Sequence, residues 1–223
     1  MQTLRQIYAE YKIMPSLQMH QLRVAAVGKL VCENISVPIN ADYVVLAGLF
    51  HDMGNIIKSD IKYFPDFVEP EGIPYWQSVK DECIRKYGND SHAATMIIVR
   101  EIGLPESVLD IIDGIHFSHV EKIRSHGSWE LKVCDYADLR VGPRGVTSMR
   151  DRIEEARKRY TQRGISDDLA QSSAEEFTNL LNACVEIEKQ LESIGFVPPE
   201  ATDEKIAPII KEFWDYPIKQ GTR

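Results

Sequence analysis

An unbroken apolar run, Val44-Val45-Leu46-Ala47-Gly48-Leu49-Phe50, ends on the doublet His51-Asp52. Seven such residues in a row belong in an interior, and a fold that buries them draws two strong ligand side chains in behind them. Burying an imidazole and a carboxylate is costly unless something offsets their lost hydration. A cation is the obvious partner for both. The chain must therefore sink this segment into a core and keep a polar site at its end.

The surrounding sequence reads as helix almost throughout, because β-branched alternation is scarce and helix punctuation frequent. Residues 3–12 form a short helix that Pro15 and Ser16 interrupt. From Ser16 as N-cap, Leu17, His20, Val24, Val27, Leu30 and Val31 recur at helical spacing. Asn40 or Ala41 starts the helix that carries the apolar run at least to the doublet, before Gly54 breaks it. Residues 55–75 interleave Pro65, Pro70, Gly72 and Pro74 with Tyr63, Phe64, Phe67, Tyr75 and Trp76. That is too irregular for a long helix and too aromatic for a disordered linker, so a lid or binding loop is expected.

Helices are then expected at 77–87, closed by Gly88, from a Ser91 cap to Ile102, from Pro105 through Ile112, and from a Ser128 cap through Ala137. After Gly142-Pro143-Arg144-Gly145 come two charged helices, 147–161 and 167–194, and a last one at 203–214. The stretch Arg150–Arg163 alternates in sign at helical spacing and reads as a solvated face. The expectation is an all-α fold: one helical bundle over residues 1–165 with a lid-like loop at about 55–76, and a C-terminal helical extension, 166–223, packed on it.

With 223 residues the chain is long enough for a sizeable core. A formal net charge of −8 argues against nucleic acid as a partner, since a phosphate-backbone binder needs a basic face. A small phosphate ester remains possible if metal ions and a few local cations reverse the field. Cys32, Cys83, Cys134 and Cys184 form no CxxC pair, so a zinc knuckle is not expected and the thiols should be reduced. The N-terminus shows neither a signal-peptide pattern nor a transmembrane stretch. A cytoplasmic protein without a membrane partner is expected.

His20, His51, Asp52, His92, His116 and Asp135 are strong ligands, and apart from the doublet each belongs to a different expected helix. A bundle can aim such side chains at one interior point. Imidazole with carboxylate suits Fe, Mn, Ni, Co or Zn rather than calcium, so one or two divalent transition-metal ions are the expected cofactor. His119 rivals His116 as a ligand, or serves as a substrate contact or proton donor. Arg23, one turn after His20, either forks a phosphate or bridges to an acid. Asp138 either orients a ligand histidine or is a plain helix charge. There is no Ser/His/Asp arrangement, GxGxxG or P-loop.

The order His20 … His51-Asp52 … Asp135, set in HQLRVA, LAGLFHDMGN and KVCDYADLR, resembles the HD-domain metal-dependent phosphohydrolase superfamily over about residues 16–160. SHAATMIIVREIGL and IIDGIH resemble the segments that give binuclear members their two extra histidines. The order is similar to that of bacterial hydrolases that split dinucleoside tetraphosphates symmetrically, although lengths and loops differ. The resemblance implies a first metal on His20, His51, Asp52 and Asp135, with Asp52 bridging to a second held by His92 and His116. It also implies attack by metal-activated hydroxide on a small phosphorylated substrate, with a nucleotide as the first expectation. One departure stands out. Many catalytic members carry a lysine four residues after the doublet's histidine, where this chain has Asn55. Asn55 can hydrogen-bond a phosphate oxygen or a water but brings no charge, which Lys58, Lys62, Arg140 or Arg144 would have to supply. Two other readings stay open, a di-iron oxygenase on the same scaffold and a non-catalytic nucleotide sensor. The C-terminal helices either pack on the domain or make a homodimer.

Overall fold

In the computed structural model, which describes residues 2–163, 173–196 and 201–218, Thr3 opens the first helix. The Thr3 hydroxyl accepts from the Gln6 N–H and the Gln6 side chain returns to the Thr3 N–H, so α1 (Leu4–Glu10) starts with two of its orphan donors satisfied. Pro15, whose fixed φ suits a first helical position, begins α2 (Pro15–Asn34) one residue ahead of the expected Ser16 cap. Asn40 caps α3 (Ala41–Phe50) by accepting from the Tyr43 N–H. The apolar run thus forms most of a short helix that ends at Phe50. His51 is its C-cap, and turns cover residues 51–58.

A 3-10 turn at Pro65–Val68 leads into α4 (Gly72–Tyr87), which starts earlier than the proline pattern suggests and takes Ile73–Trp76 into the helix. α5 (Ser91–Ile102) is capped by Asp90 rather than Ser91. α6 (Glu106–Gly114), a 3-10 turn at Phe117–His119, α7 (Val120–His126) and the Ser128-capped α8 (Trp129–Asp138) follow. Around Pro143-Arg144, β2 (Val141–Gly142) and β3 (Gly145–Val146) pair antiparallel. The last helices are α9 (Met149–Arg163), α10 (Ala174–Ser193) and α11 (Asp203–Phe213). The first residues of the expected 167–194 helix lie outside the described residues. β1 (Gln2–Thr3) pairs antiparallel with β4 (Pro217–Ile218). The fold is all-α, the four short strands serving only as ties.

α2 and α3 pack against each other and α8 lies against both, while α6 packs on α3. α10 packs on α7 and α8, and α11 on α2. One hydrophobic cluster runs from Leu4 to Ile218 and joins Val44, Ala47, Leu49 and Phe50 of α3 to Cys184, Ile187 and Leu191 of α10. Each large side chain buried there contributes roughly 1.5–3 kcal/mol relative to exposure. Close approach of α2 and α3 depends on Gly48, where a Cβ would stand 2.7 Å from the Ala25 Cα and 2.8 Å from its nitrogen. A second, smaller cluster lies under the aromatic loop, where Ile56, Ile57, Ile61 and Val68 meet Met14, Trp76, Val79 and Ala94. The four cysteines are all unpaired. No helix among the described residues is long and apolar enough to cross a membrane.

Candidate metal centre and cleft

The doublet is held by three anchors before its side chains do anything. The buried Gln21 side chain of α2 accepts from the Asp52 N–H at 3.3 Å. The Tyr8 hydroxyl donates to the Leu49 carbonyl at 2.6 Å, satisfying an acceptor at the end of α3. The Gly54 N–H donates to Thr95 Oγ1 at 2.9 Å, and that hydroxyl donates on to the Ser91 carbonyl, tying α5 to the turn. A Cβ at Gly54 would lie 2.8 Å from the Thr95 nitrogen, so only glycine permits that seam.

His51 is buried, and its Nδ1 lies 3.0 Å from the Gly48 carbonyl. A carbonyl only accepts, so Nδ1 carries the proton and Nε2 is the atom left to face the cleft. There it comes together with the Nε2 of His20, the two rings being 5.4 Å apart at their centroids. His20, His51 and Asp52 each offer one ligand atom within 4.8 Å of the others. Asp52 Oδ2 is 3.5 Å from the His20 Nε2 and 3.8 Å from that of His51.

A second carboxylate at both imidazoles belongs to Asp138, the residue that could orient a ligand histidine. Asp138 Oδ1 stands 3.1 Å from His20 Nε2 and 3.5 Å from His51 Nε2. Asp135 sits one turn earlier on α8, 3% exposed, and its Oδ2 is buried with no hydrogen-bond partner. Both aspartates line the same cleft. α8 presents residues three apart on one face, so the sequence put a carboxylate on the right face without saying which turn reaches the histidines.

Protonation in the metal-free protein follows from this packing. Burial opposes charge on His51, but Asp52 and Asp138 outweigh it and raise its pKa to about 9. Burial opposes the charge of Asp138 as well, yet hydrogen bonds from His20 and His51 hold it well below the usual carboxylate range. Asp135 has no such cation, and burial with the Asp138 charge nearby raises its pKa to about 8. The imidazolium of His51 thus supplies the positive charge that this acidic pocket needs. Asp135 Oδ2, buried with no hydrogen-bond partner, and His51 Nε2, whose contact with Asp138 is a long 3.5 Å, are atoms that a cation would satisfy. The donor set, imidazole nitrogen with carboxylate oxygen, fits a divalent transition ion.

The cluster closes one side of a cleft of about 320 Å³. A family model for the HD domain matches residues 18–140, more than half of the chain. The chain belongs to the HD-domain family. Most members of that family are metal-dependent hydrolases. No curated protein and no solved structure matches this chain significantly.

The remaining residues singled out in this HD-domain chain divide between the cleft and elsewhere. His92 and His116 line the same cleft, outside the group of ligand atoms that lie within 4.8 Å of one another. Their rings are 6.4 Å apart, His92 Nε2 is 3.1 Å from Asp113 Oδ1, and His116 Nδ1 is 2.6 Å from Ser118 Oγ. His119 is 5.3 Å from the His116 ring yet faces a separate cavity beside Tyr43, Lys122 and His126. Asn55 and Lys58 line the cleft, whereas the exposed Lys62 does not. Arg23 lies outside the lining and pairs with Asp203 of α11 at 3.5 Å, the salt-bridge alternative.

Arg140 does not reach the substrate side either. It is 6% exposed and its guanidinium donates to the Thr147 carbonyl, the Tyr136 hydroxyl and the Ala201 carbonyl, which pins β3 and the segment before α11 to α8. Arg144 grips the aromatic loop instead, donating to both oxygens of Asp66 at 2.9 and 3.3 Å and lying 5.7 and 5.4 Å from the Phe64 and Phe67 rings. Phe64, Phe67 and Phe117 are the aromatic members of a cleft wall that also includes Leu17, Ile61 and Val68.

The expected solvated face on α9 is the clearest correction. Arg152, Ile153, Ala156 and Arg159 all line the cleft. Ile153 and Ala156 are buried, and the two arginine side chains are only 17% and 12% exposed. The missed signal was the i, i+3 pair Ile153/Ala156, flanked by arginines seven residues apart on the same face.

Proposed function

We propose that this HD-domain protein is a metal-dependent phosphohydrolase acting on a small phosphorylated compound, with a nucleotide as the first class to test. The observation that carries this reading is the convergence of two imidazole nitrogens and two carboxylates at one side of a cleft whose other walls are cationic and aromatic. His20, His51 and Asp52 would hold the first ion, with Asp135 and Asp138 as the further carboxylates beside it. His92 and His116, on the rim, are the residues through which a second would be held. A divalent ion at such a site acts as a Lewis acid toward a phosphoryl oxygen and lowers the pKa of water.

The chain's own groups do the rest. The Gly48 carbonyl fixes the His51 tautomer, so the ligand nitrogen needs no reorientation. The Asn55 amide, in the position where many relatives carry lysine, can donate to a phosphoryl oxygen without adding charge. Lys58 supplies charge from the same wall. Phe64, Phe67 and Phe117 offer ring faces to a planar base or another apolar moiety.

The test is a panel of nucleotides and other phosphate esters against protein loaded with Mn, Fe, Co, Ni or Zn. Metal-dependent release of phosphate, abolished by chelator and by Asp52→Ala, is the expected result. A wild type that stays metal-free when those ions are offered overturns the reading. Iron-dependent oxygen uptake with no phosphate released anaerobically does so as well.

A further inference from the structure

Two arginines and one carboxylate on α9 form a unit in the cleft wall that the metal centre does not use. Arg159 Nε donates to Glu155 Oε1 at 2.8 Å and its Nη2 to Oε2 at 3.4 Å, while Arg152 Nη1 approaches the same Oε2 at 3.7 Å. Arg152 is itself fixed, its Nε donating to the Val141 carbonyl of β2 at 2.7 Å. Both arginines line the cleft and are mostly buried, whereas Glu155 is 41% exposed and is absent from the lining. A carboxylate gripped by one guanidinium fork, with a second guanidinium 3.7 Å from the same oxygen, resembles the setting in which a phosphate is bound.

We propose that Arg152 and Arg159 are a specificity-determining anion pocket, selecting substrates that carry a second phosphate besides the one presented to the metal centre. Glu155 is a resident counter-ion that this second group displaces. The inference rests on the phosphohydrolase reading of the same cleft, and it narrows the substrate class to phosphoanhydrides and bisphosphates over simple monoesters. It adds cationic charge from α9 to that of Lys58, placed where it meets a distal group.

The experiment is calorimetric titration of metal-loaded protein with ortho-, pyro- and tripolyphosphate, using wild type, Arg159→Gln, Arg152→Gln and Glu155→Gln. Wild type should bind the longer chains more tightly, and Arg159→Gln should lose about tenfold of that preference while its orthophosphate affinity and metal content stay unchanged. Arg159→Gln leaves the Arg152–Val141 tie in place, so it keeps the test sound if Arg152→Gln fails to fold. Glu155→Gln should tighten the longer chains, because the competing carboxylate is gone. Equal affinity for all three anions in wild type, or an unchanged preference in Arg159→Gln, overturns the proposal. Weaker binding by Glu155→Gln overturns the role given to Glu155. A wild type that hydrolyses phosphate esters without chain-length preference sinks this inference alone. Chain-length preference with no hydrolysis of any ester sinks the phosphohydrolase reading and leaves the pocket standing.

Discussion

The two groups of histidines in this cleft are built differently. His20 and His51 lie on or at the end of helices whose opposite faces are in the main core, and their Nε2 atoms share the carboxylates of Asp52 and Asp138. His92 is in the first turn of α5 and His116 precedes a 3-10 turn, and each pairs with its own local partner, Asp113 or Ser118. The first group is preorganised by packing and the second by short-range contacts at the rim. Ligands carried on helices packed into a core keep their geometry without metal, because moving those helices would open cavities. A rim set has no such restraint, and a second ion there must organise its own ligands.

The largest effects should fall on the packed group. Asp52→Ala should leave the protein without bound metal by elemental analysis and reduce any hydrolysis by more than about a thousandfold. Next comes a comparison within α8. Asp138→Asn should weaken metal binding by about 10- to 100-fold or more, and Asp135→Asn by less, since Asp138 is the one that faces both imidazoles. The reverse order, read from metal titrations, would return the ligand role to Asp135. His116→Ala and His92→Ala should each lower metal content by at most one ion per chain and leave the first site filled. If either empties the protein as Asp52→Ala does, the division into a packed and a rim group is wrong.

A smaller effect is the pH dependence of the metal-free protein. The folded-state pKa of Asp135, about 8, lies above its ordinary 3.8, and that of His51, about 9, lies above 6.5. Each group therefore binds a proton more readily when folded. Their stabilisation is complete below the unfolded values and is lost as pH rises, from about 4 to 8 for Asp135 and from about 6.5 to 9 for His51. Asp138, held low, acts in the opposite sense and loses its contribution as pH falls through the acid range. Metal-free protein should therefore melt at progressively lower temperature from pH 6 to 9, while metal-loaded protein, whose ligands are already deprotonated, should show a flatter profile. Parallel profiles would mean that the ion does not replace the His51 proton.

The smallest effect belongs to Arg144→Ala. Its ion pair with Asp66 is more than half exposed on both sides, so thermal or urea unfolding should show little or no change in stability. The aromatic loop should nevertheless loosen, which hydrogen exchange over residues 63–68 would register.

Much of this was legible in the sequence. The helical periodicity, the caps at Asn40 and Ser128 and the HD doublet are local signals, and each depends on residues a few positions apart. His20, His51 and Asp52 could be brought together on the page because their sequence contexts match a known order. Asp138 was legible only as one of two alternatives, since it shares a face of α8 with Asp135 and the packing of that helix on α2 and α3 decides that it touches both imidazoles. Arg140 and Arg144 stood beside Asp135 in sequence, yet the β2–β3 hairpin turns one inward under α11 and the other outward onto the aromatic loop. Arg152 and Arg159 looked solvated for the same reason in reverse. Charge spacing along α9 says nothing about which neighbouring surface receives it.

By itself, then, the sequence determined most of the helices, though it read α7 (Val120–His126) as loop, together with the buried apolar run and the kind of ligand at its end, because these follow from short-range periodicity and side-chain chemistry. Tertiary structure alone decided which carboxylate meets the imidazoles, which cations enter the cleft, and that the rim histidines stand apart from the packed pair. Those outcomes depend on the angles and depths at which helices pack, quantities that belong to pairs of segments far apart in the chain.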